Sequence, residues 1–300
     1  MPTLATLCTA GHPPLLVVSQ PSRPGGRGRH LRHPPVIEWA QREGIPTAQP
    51  ARVSDQTFLR QVAALEPDVA IVVAFGQIFP SHLLDLPRHG CINLHASLLP
   101  RYRGAAPIAR AIASGESTTG VTTMLMNEGL DTGDILLQRS VEIGPAETAE
   151  QLSPRLANLG AELVIDTLKA LEKNELVRKE QSESEATLAP RLTKLEGRVD
   201  WSLDATTIFD SLRALTPWPG SWSELGGERI KIVWGKPIEH RTTASAAPGV
   251  FLGLQNGLLL VSCGNKTIFG IERLQRPGRK LIDAAAFANG EHLEAGENFE

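Results

Sequence analysis

Short apolar runs alternate with segments of helical period over the first half of the chain, and the pattern changes near residue 172. Leu15, Leu16, Val17 and Val18 make a run of strand length. Residues 36–42 read as a short helix stopped by Gly44. Asp55 can cap a helix carrying Phe58, Leu59, Val62 and Leu65 along one side. Residues 68–74 are apolar almost throughout, as expected of a strand buried on both faces. Residues 91–95 give another short strand, and Pro107 can open a helix through Ser114. Residues 121–126 form a strand with apolar side chains at alternate positions. A long helix is predicted near 149–171, striped with Leu152, Leu156, Leu159, Leu163, Leu168 and Leu171. Alternating strands and helices predict an α/β domain, a Rossmann-like, mostly parallel sheet flanked by helices.

Residues 173–189 are polar and charged and read as a connector. Beyond them one helix, 205–215, precedes β-like runs at 229–233, 249–254, 257–263 and 267–273, separated by Gly, Asn and Pro. Such a pattern predicts a small β-barrel or sandwich. The expected boundaries are a first domain at 1–174, a linker at 175–192 and a second domain at 193–300.

The net charge of −3 leaves any nucleic-acid contact to local patches. Cys8, Cys91 and Cys263 have neither disulfide-framework nor zinc spacing, which suits a reducing compartment, here the cytoplasm. No stretch approaches the roughly 18–20 apolar residues of a membrane span. Residues 1–37 lack acids and place Arg23, Arg27, Arg29 and Arg32 in one run. Pro13, Pro14, Pro21 and Pro24 forbid the amphipathic helix of a transit peptide, so a basic loop is expected instead. Charge runs usually sit solvated, but this Gly, Pro and Arg mixture fits a segment that orders on phosphates. A second run, Arg273, Arg276, Arg279 and Lys280, reads either as a solvated turn or as a modest, salt-dependent contact. Trp201, Trp218, Trp222 and Trp234 read as packing residues.

The densest chemistry lies at residues 93–104. Asn93 and His95 are two apart at a predicted strand end, so both side chains leave one face. Ligands of parallel α/β sheets bind beyond such ends, where an amide and an imidazole could hold a developing oxyanion. An isolated Asn-x-His more often caps backbone groups. Downstream, the Gly-rich loop after residue 126 could bring Asp131 to the same rim. No G-x-G-x-x-G follows a strand, which argues against a dinucleotide-dependent dehydrogenase.

Three motifs together, Asn-x-His-x-Ser-Leu-Leu-Pro at 93–100, Arg-Gly-Ala-Ala-Pro at 103–107 and Gly-Leu-Asp-Thr-Gly-Asp at 129–134, resemble the folate-dependent formyltransferase family. The resemblance narrows, through residues 20–29, 72–80, 198–202 and 217–222, to members that formylate methionine carried by initiator tRNA. It implies 10-formyltetrahydrofolate as formyl donor, initiator methionyl-tRNA as partner, no metal, no membrane and a monomer. Asn93, His95 and Asp131 match the catalytic set, with protonated His95 sharing the oxyanion and Asp131 stabilising its charge. Ser97, Leu98, Leu99 and Pro100 match the folate-contacting segment, and Phe75, Gly76, Gln77 and Ile78 a wall of the pterin pocket. Arg27, with Arg23 and Arg29 beside it, matches the loop that reaches the tRNA acceptor stem. The second domain resembles the family's OB-like barrel. Members that act on glycinamide ribonucleotide or hydrolyse formyltetrahydrofolate lack that barrel, and those acting on amino sugars lack the Gly/Arg loop. A non-catalytic tRNA- or folate-binding protein is the alternative of another class.

The family opens with a strand and a Gly-Thr-Pro turn, whereas Met1 falls where the following helix is under way. That first strand is central in a doubly wound sheet. Without it, two neighbouring strands are expected to keep unpaired ladders and exposed apolar surface.

Overall fold

The structure is a computed structural model that describes residues 1–25, 30–239 and 246–300. It divides into two compact units, Met1–Pro107, Thr118–Val141 and Pro154–Pro190 in the first, and Ile108–Ser117, Glu142–Ser153 and Arg191–Glu300 in the second.

In chain order the first unit holds α1 (Pro2–Thr9), β1 (Val17–Val18), β2 (Arg23–Gly25), β3 (His30–Arg32), α2 (Pro35–Arg42) and β4 (Thr47–Ala48). Next come α3 (Gln56–Ala63), β5 (Ala70–Val73), α4 (Ser81–Leu84) and β6 (Cys91–His95). α5 (Pro107–Ala113) lies in the second unit from Ile108 onward, after which β7 (Thr118–Leu125) and β8 (Ile135–Glu142) follow. α6 (Ala149–Glu172) enters the first unit at Pro154. Asp55 caps α3 as expected, accepting from the N–H groups of Thr57 and Phe58.

Two sheets result. β1 pairs with β4 in parallel. β5 pairs with β6 in parallel, β6 with β7 antiparallel, and β8 lies beside β7. Among the described residues no ladder joins β1 to β5, so each presents an unpaired edge. This corrects the reading of residues 68–74 as buried on both faces. Val72 is buried but Val73 is 45% exposed, because only β6 flanks β5.

β7 corrects the alternating pattern in the opposite sense, with six consecutive buried residues, 119–124. Its polar members are satisfied: the Thr122 hydroxyl donates to the Ser97 carbonyl at 2.7 Å, and Thr123 and Thr167 share a hydrogen bond at 2.8 Å. The basic loop contains a short ladder, β2 with β3. Residues 173–190 are not a free connector. They bridge back to the first unit at Ile135 with Lys179 and Arg103 with Leu188.

The second unit continues with α7 (Ala205–Leu215), β9 (Ser221–Leu225), β10 (Glu228–Ile238), β11 (Phe251–Gln255), β12 (Leu258–Ser262), β13 (Ile268–Gln275), β14 (Ile282–Asp283) and α8 (Ala284–Glu291). Its antiparallel sheet runs β11-β12-β13-β10-β9, with β14 on β13. The two outer strands are joined by the chain end: Phe299 bridges Leu225 and Asn298 bridges Val250. Through these bridges the sheet curls towards a small barrel. Inside lie Trp201, Ile208, Leu212, Ile230, Phe269, Phe287 and Phe299.

Candidate active site

Asn93 and His95 sit two apart at the carboxyl end of β6, so the pleat sends both side chains the same way. His95 is 6% exposed. Its Nε2 lies 2.8 Å from the Tyr102 carbonyl, which only accepts, so Nε2 carries the proton and donates. The free nitrogen, Nδ1, lies 3.6 Å from Oδ2 of Asp131. Asn93 Nδ2 lies 3.5 Å from Oδ1 of the same carboxylate, at the limit of a hydrogen bond. The Gly104 N–H donates to Oδ2 at 2.8 Å. The structure therefore gathers the three expected residues around one carboxylate.

Two non-glycine residues of this cluster have left-handed backbones, Tyr102 (φ 63°) and Asp131 (φ 54°). Such conformations persist only where surrounding bonds over-determine them. Those bonds come from the supposed connector. Thr187 Oγ1 accepts from the Tyr102 N–H at 2.8 Å, and the Thr187 carbonyl accepts from the Arg103 N–H at 2.8 Å. Gln181 Nε2 donates to the carbonyls of Asp131 and Gly133 at 2.8 and 2.7 Å, while its Oε1 accepts from Arg103 Nε at 3.0 Å. Arg103 is buried, and its guanidinium forks onto both oxygens of Glu183. This hydrogen bond holds the Glu183 carboxyl below the ordinary carboxylate range. Gln181, Glu183 and Thr187 did not stand out in the sequence, where 173–189 reads as a polar connector. A glutamine amid charged residues was the only local signal.

The expected folate residues divide into two groups. Ser97 is fully buried, and its hydroxyl donates to the Arg101 carbonyl at 2.6 Å. Leu99 is buried against Met124 and Ile135, with its N–H on Thr122 Oγ1 and its carbonyl on Gln138 Nε2. The Leu99–Pro100 peptide is cis, and Leu98 and Pro100 are half-buried. Gln77 is occupied with the Val53 N–H and the Ala51 carbonyl. These side chains shape the loop frame. Gly76 and Ile78, the latter 83% exposed, and half-buried Phe75 form an open wall beyond β5.

Arg23 is exposed on β2, whereas Arg27 and Arg29 lie outside the described residues. Gln20 ties the base of that hairpin to the wall by donating to the Phe75 carbonyl at 2.9 Å. In the second unit Arg276 is committed to Glu228 and Glu291, and Arg229 stacks 3.7 Å over Trp222. Trp201 is buried and donates to Ser223 Oγ, and Trp234 packs on Phe209. Trp218 departs from the packing expectation at 51% exposed, since its Pro-flanked turn carries it outward.

Burial, with Asp85 nearby, pushes the Cys91 thiol up to about 12, so it stays a neutral thiol rather than a nucleophile. Among the described residues no group of three His, Cys, Asp or Glu side chains could hold a metal. A cluster of one amide, one imidazole and one carboxylate suits direct attack on a carbonyl with oxyanion stabilisation and proton relay.

The chain belongs to the formyl transferase family. The family's formyl transferase pattern matches residues 8–168, and its C-terminal domain pattern matches residues 191–292. Its particular branch is that of the methionyl-tRNA formyltransferases. It is 46% identical to the Acidobacterium capsulatum enzyme of that name over 98% of this chain and 94% of that one. It is 45% identical to the Geobacter sulfurreducens enzyme of the same name over 98% and 92%. Among solved structures, HypX from Aquifex aeolicus in complex with tetrahydrofolic acid shares the fold (TM-score 0.60, 19% identity, 94% of this chain and 48% of that one). An N-formyltransferase from Helicobacter canadensis also shares it (TM-score 0.63, 16% identity, 78% and 81%).

Proposed function

We propose that this chain transfers the formyl group of 10-formyltetrahydrofolate to the α-amino group of methionyl initiator tRNA, working as a cytoplasmic monomer. The observation that carries the reading is the convergence of Asn93, His95 and Asp131 at the carboxyl end of β6. The exposed wall of Phe75, Gly76 and Ile78 would flank the pterin, and the Arg23–Arg29 loop would meet the acceptor stem.

The neutral amine attacks the formyl carbon, and the C=O electrons move onto oxygen. Asn93 Nδ2 donates to that oxyanion. His95 acts through Nδ1, because Nε2 is held by Tyr102. Protonated, Nδ1 donates to the oxyanion; neutral, it accepts. Collapse breaks the bond to N10 of the folate, and the proton lost by the attacking nitrogen is returned to N10. Asp131 lies between His95 and Asn93 and serves that transfer.

The test is formyl transfer to charged initiator tRNA by the wild type, Asn93→Ala and His95→Ala. A lost oxyanion donor is worth roughly 3–4 kcal/mol, so turnover is expected to fall by two to three orders of magnitude. Near wild-type turnover in both variants overturns the assignment.

A further inference from the structure

We infer that Gln181 is a positioning residue that holds the Asp131 loop in its reactive conformation, an inference that rests on the role proposed for Asp131. A guanidinium has only donors, so the hydrogen bond from Arg103 Nε fixes which end of the Gln181 amide is oxygen. Both Nε2 protons then point at the carbonyls of Asp131 and Gly133, at 2.8 and 2.7 Å. The donor reaches the carbonyl of a residue whose left-handed backbone is otherwise disfavoured. Loop 131–133 has little room to relax elsewhere, since a Cβ at Gly133 would stand 1.7 Å from the Leu125 carbonyl oxygen.

The same amide reaches the other half of the cluster. Arg103 lies between Tyr102, whose carbonyl orients His95, and Gly104, whose N–H orients Asp131. Gln181 is therefore a side chain bonded to both segments that carry the triad's supports. It is 7% exposed and reaches them from the segment leading into the second unit. An interior amide so placed restrains geometry without touching substrate.

Two variants separate its two ends. Gln181→Met keeps the volume and removes every hydrogen bond. Gln181→Glu keeps an acceptor for Arg103 but sets a carboxylate against two carbonyls. Both are expected to lower kcat at least tenfold while KM for folate and for tRNA moves less than about twofold, with the loop misplaced rather than the substrates unbound. Hydrogen exchange of residues 127–134 should quicken in both. In an Asp131→Ala background the Gln181 substitutions should cause a much smaller further loss, since only the arm through Arg103 and Tyr102 to His95 is left to disturb.

Unchanged kcat in Gln181→Met, or an equal fold-loss with and without Asp131, overturns the inference. Retained activity in Gln181→Glu overturns the donor role as well. Undiminished turnover in Asp131→Ala alone sinks the proposed catalytic reading. An ordinary Asp131→Ala defect beside an unimpaired Gln181→Met sinks only the role of Gln181.

Discussion

The N–H of Gly104 donates to Oδ2 of Asp131 at 2.8 Å from a backbone whose φ is 124°. That angle belongs to glycine, and an added Cβ would lie 2.7 Å from the Ala189 carbonyl oxygen. Gly104→Ala must therefore shift either the segment 102–104, which takes the N–H off Asp131, or the strap at Ala189, which accepts from the Ala106 N–H and donates to the Arg103 carbonyl and so holds that segment in place. Turnover is expected to fall about 10- to 100-fold, the scale of a misplaced reacting group. Stability should fall by about 1–3 kcal/mol from the strained backbone. Kinetics and thermal unfolding of the purified variant check both, and a variant matching wild type would mean that Asp131 needs no such anchor.

Much of this site was legible because its parts were local. Asn93 and His95 lie two apart on one short strand, and Pro107 and Asp55 announce their helices. The anchors were not legible, because they join positions 50 and 85 residues apart through backbone atoms on one side of each bond. A carbonyl of Tyr102 or Asp131 leaves no trace in residue identity. β7 misled the alternation reading because its buried threonines 122 and 123 look polar while their hydroxyls are spent internally. β9 and α8 were missed for related reasons. β9 carries Ser221 and Ser223 inward, and α8 is small-residue rich with a weak apolar stripe.

Asp204 caps α7 by accepting from the N–H groups of Thr206 and Thr207, each at 3.0 Å. The backbone bond from Thr207 is the main cause holding its carboxyl below the ordinary aspartate value. A depressed folded-state pKa means the charged cap is fully stabilising above the ordinary Asp range, and the effect is lost as pH falls through the lowered value. Asp204→Ala is expected to cost about 1 kcal/mol at neutral pH. The gap in unfolding midpoint between wild type and Asp204→Asn should narrow from pH 6 to pH 3. A gap that stays constant would show that the charge contributes nothing.

Arg276 and Arg23 should behave differently towards tRNA. Arg276 is bound by Glu228 and Glu291 and lies over Phe287, so its charge is already neutralised. Arg276→Ala is expected to lower the unfolding midpoint and leave the salt dependence of tRNA binding unchanged. Arg23 is exposed on the basic hairpin. If it meets a phosphate, Arg23→Ala lowers affinity and reduces the log–log salt slope by about 1. Filter binding across a salt series reads both variants. A slope change in Arg276→Ala, or none in Arg23→Ala, reverses the placement of the contact.

The chain end joins the two outer strands of the second unit's sheet. Glu300 exchanges two backbone hydrogen bonds with Glu224, at 2.8 and 2.9 Å, and its carbonyl accepts from Ser223 Oγ at 2.7 Å. The Phe299 N–H donates to the Gly249 carbonyl at 2.9 Å, and Phe251 donates to Glu297 at 2.8 Å. Phe299, 1% exposed, adds its ring to Trp201 at 6.1 Å between centroids. Its truncation removes a whole aromatic side chain from a closed core, so Phe299→Ala is expected to destabilise the second unit by about 3–5 kcal/mol. Deleting residues 297–300 should go further, because β9 and the approach to β11 then lose backbone partners as well as the ring. Glu300→Ala retains every one of those backbone bonds and should unfold within about 0.5 kcal/mol of wild type, as surface changes usually do. Calorimetry of the three variants gives the ranking. Should Phe299→Ala and the deletion unfold like wild type, the second unit does not depend on residues 297–300 for its stability.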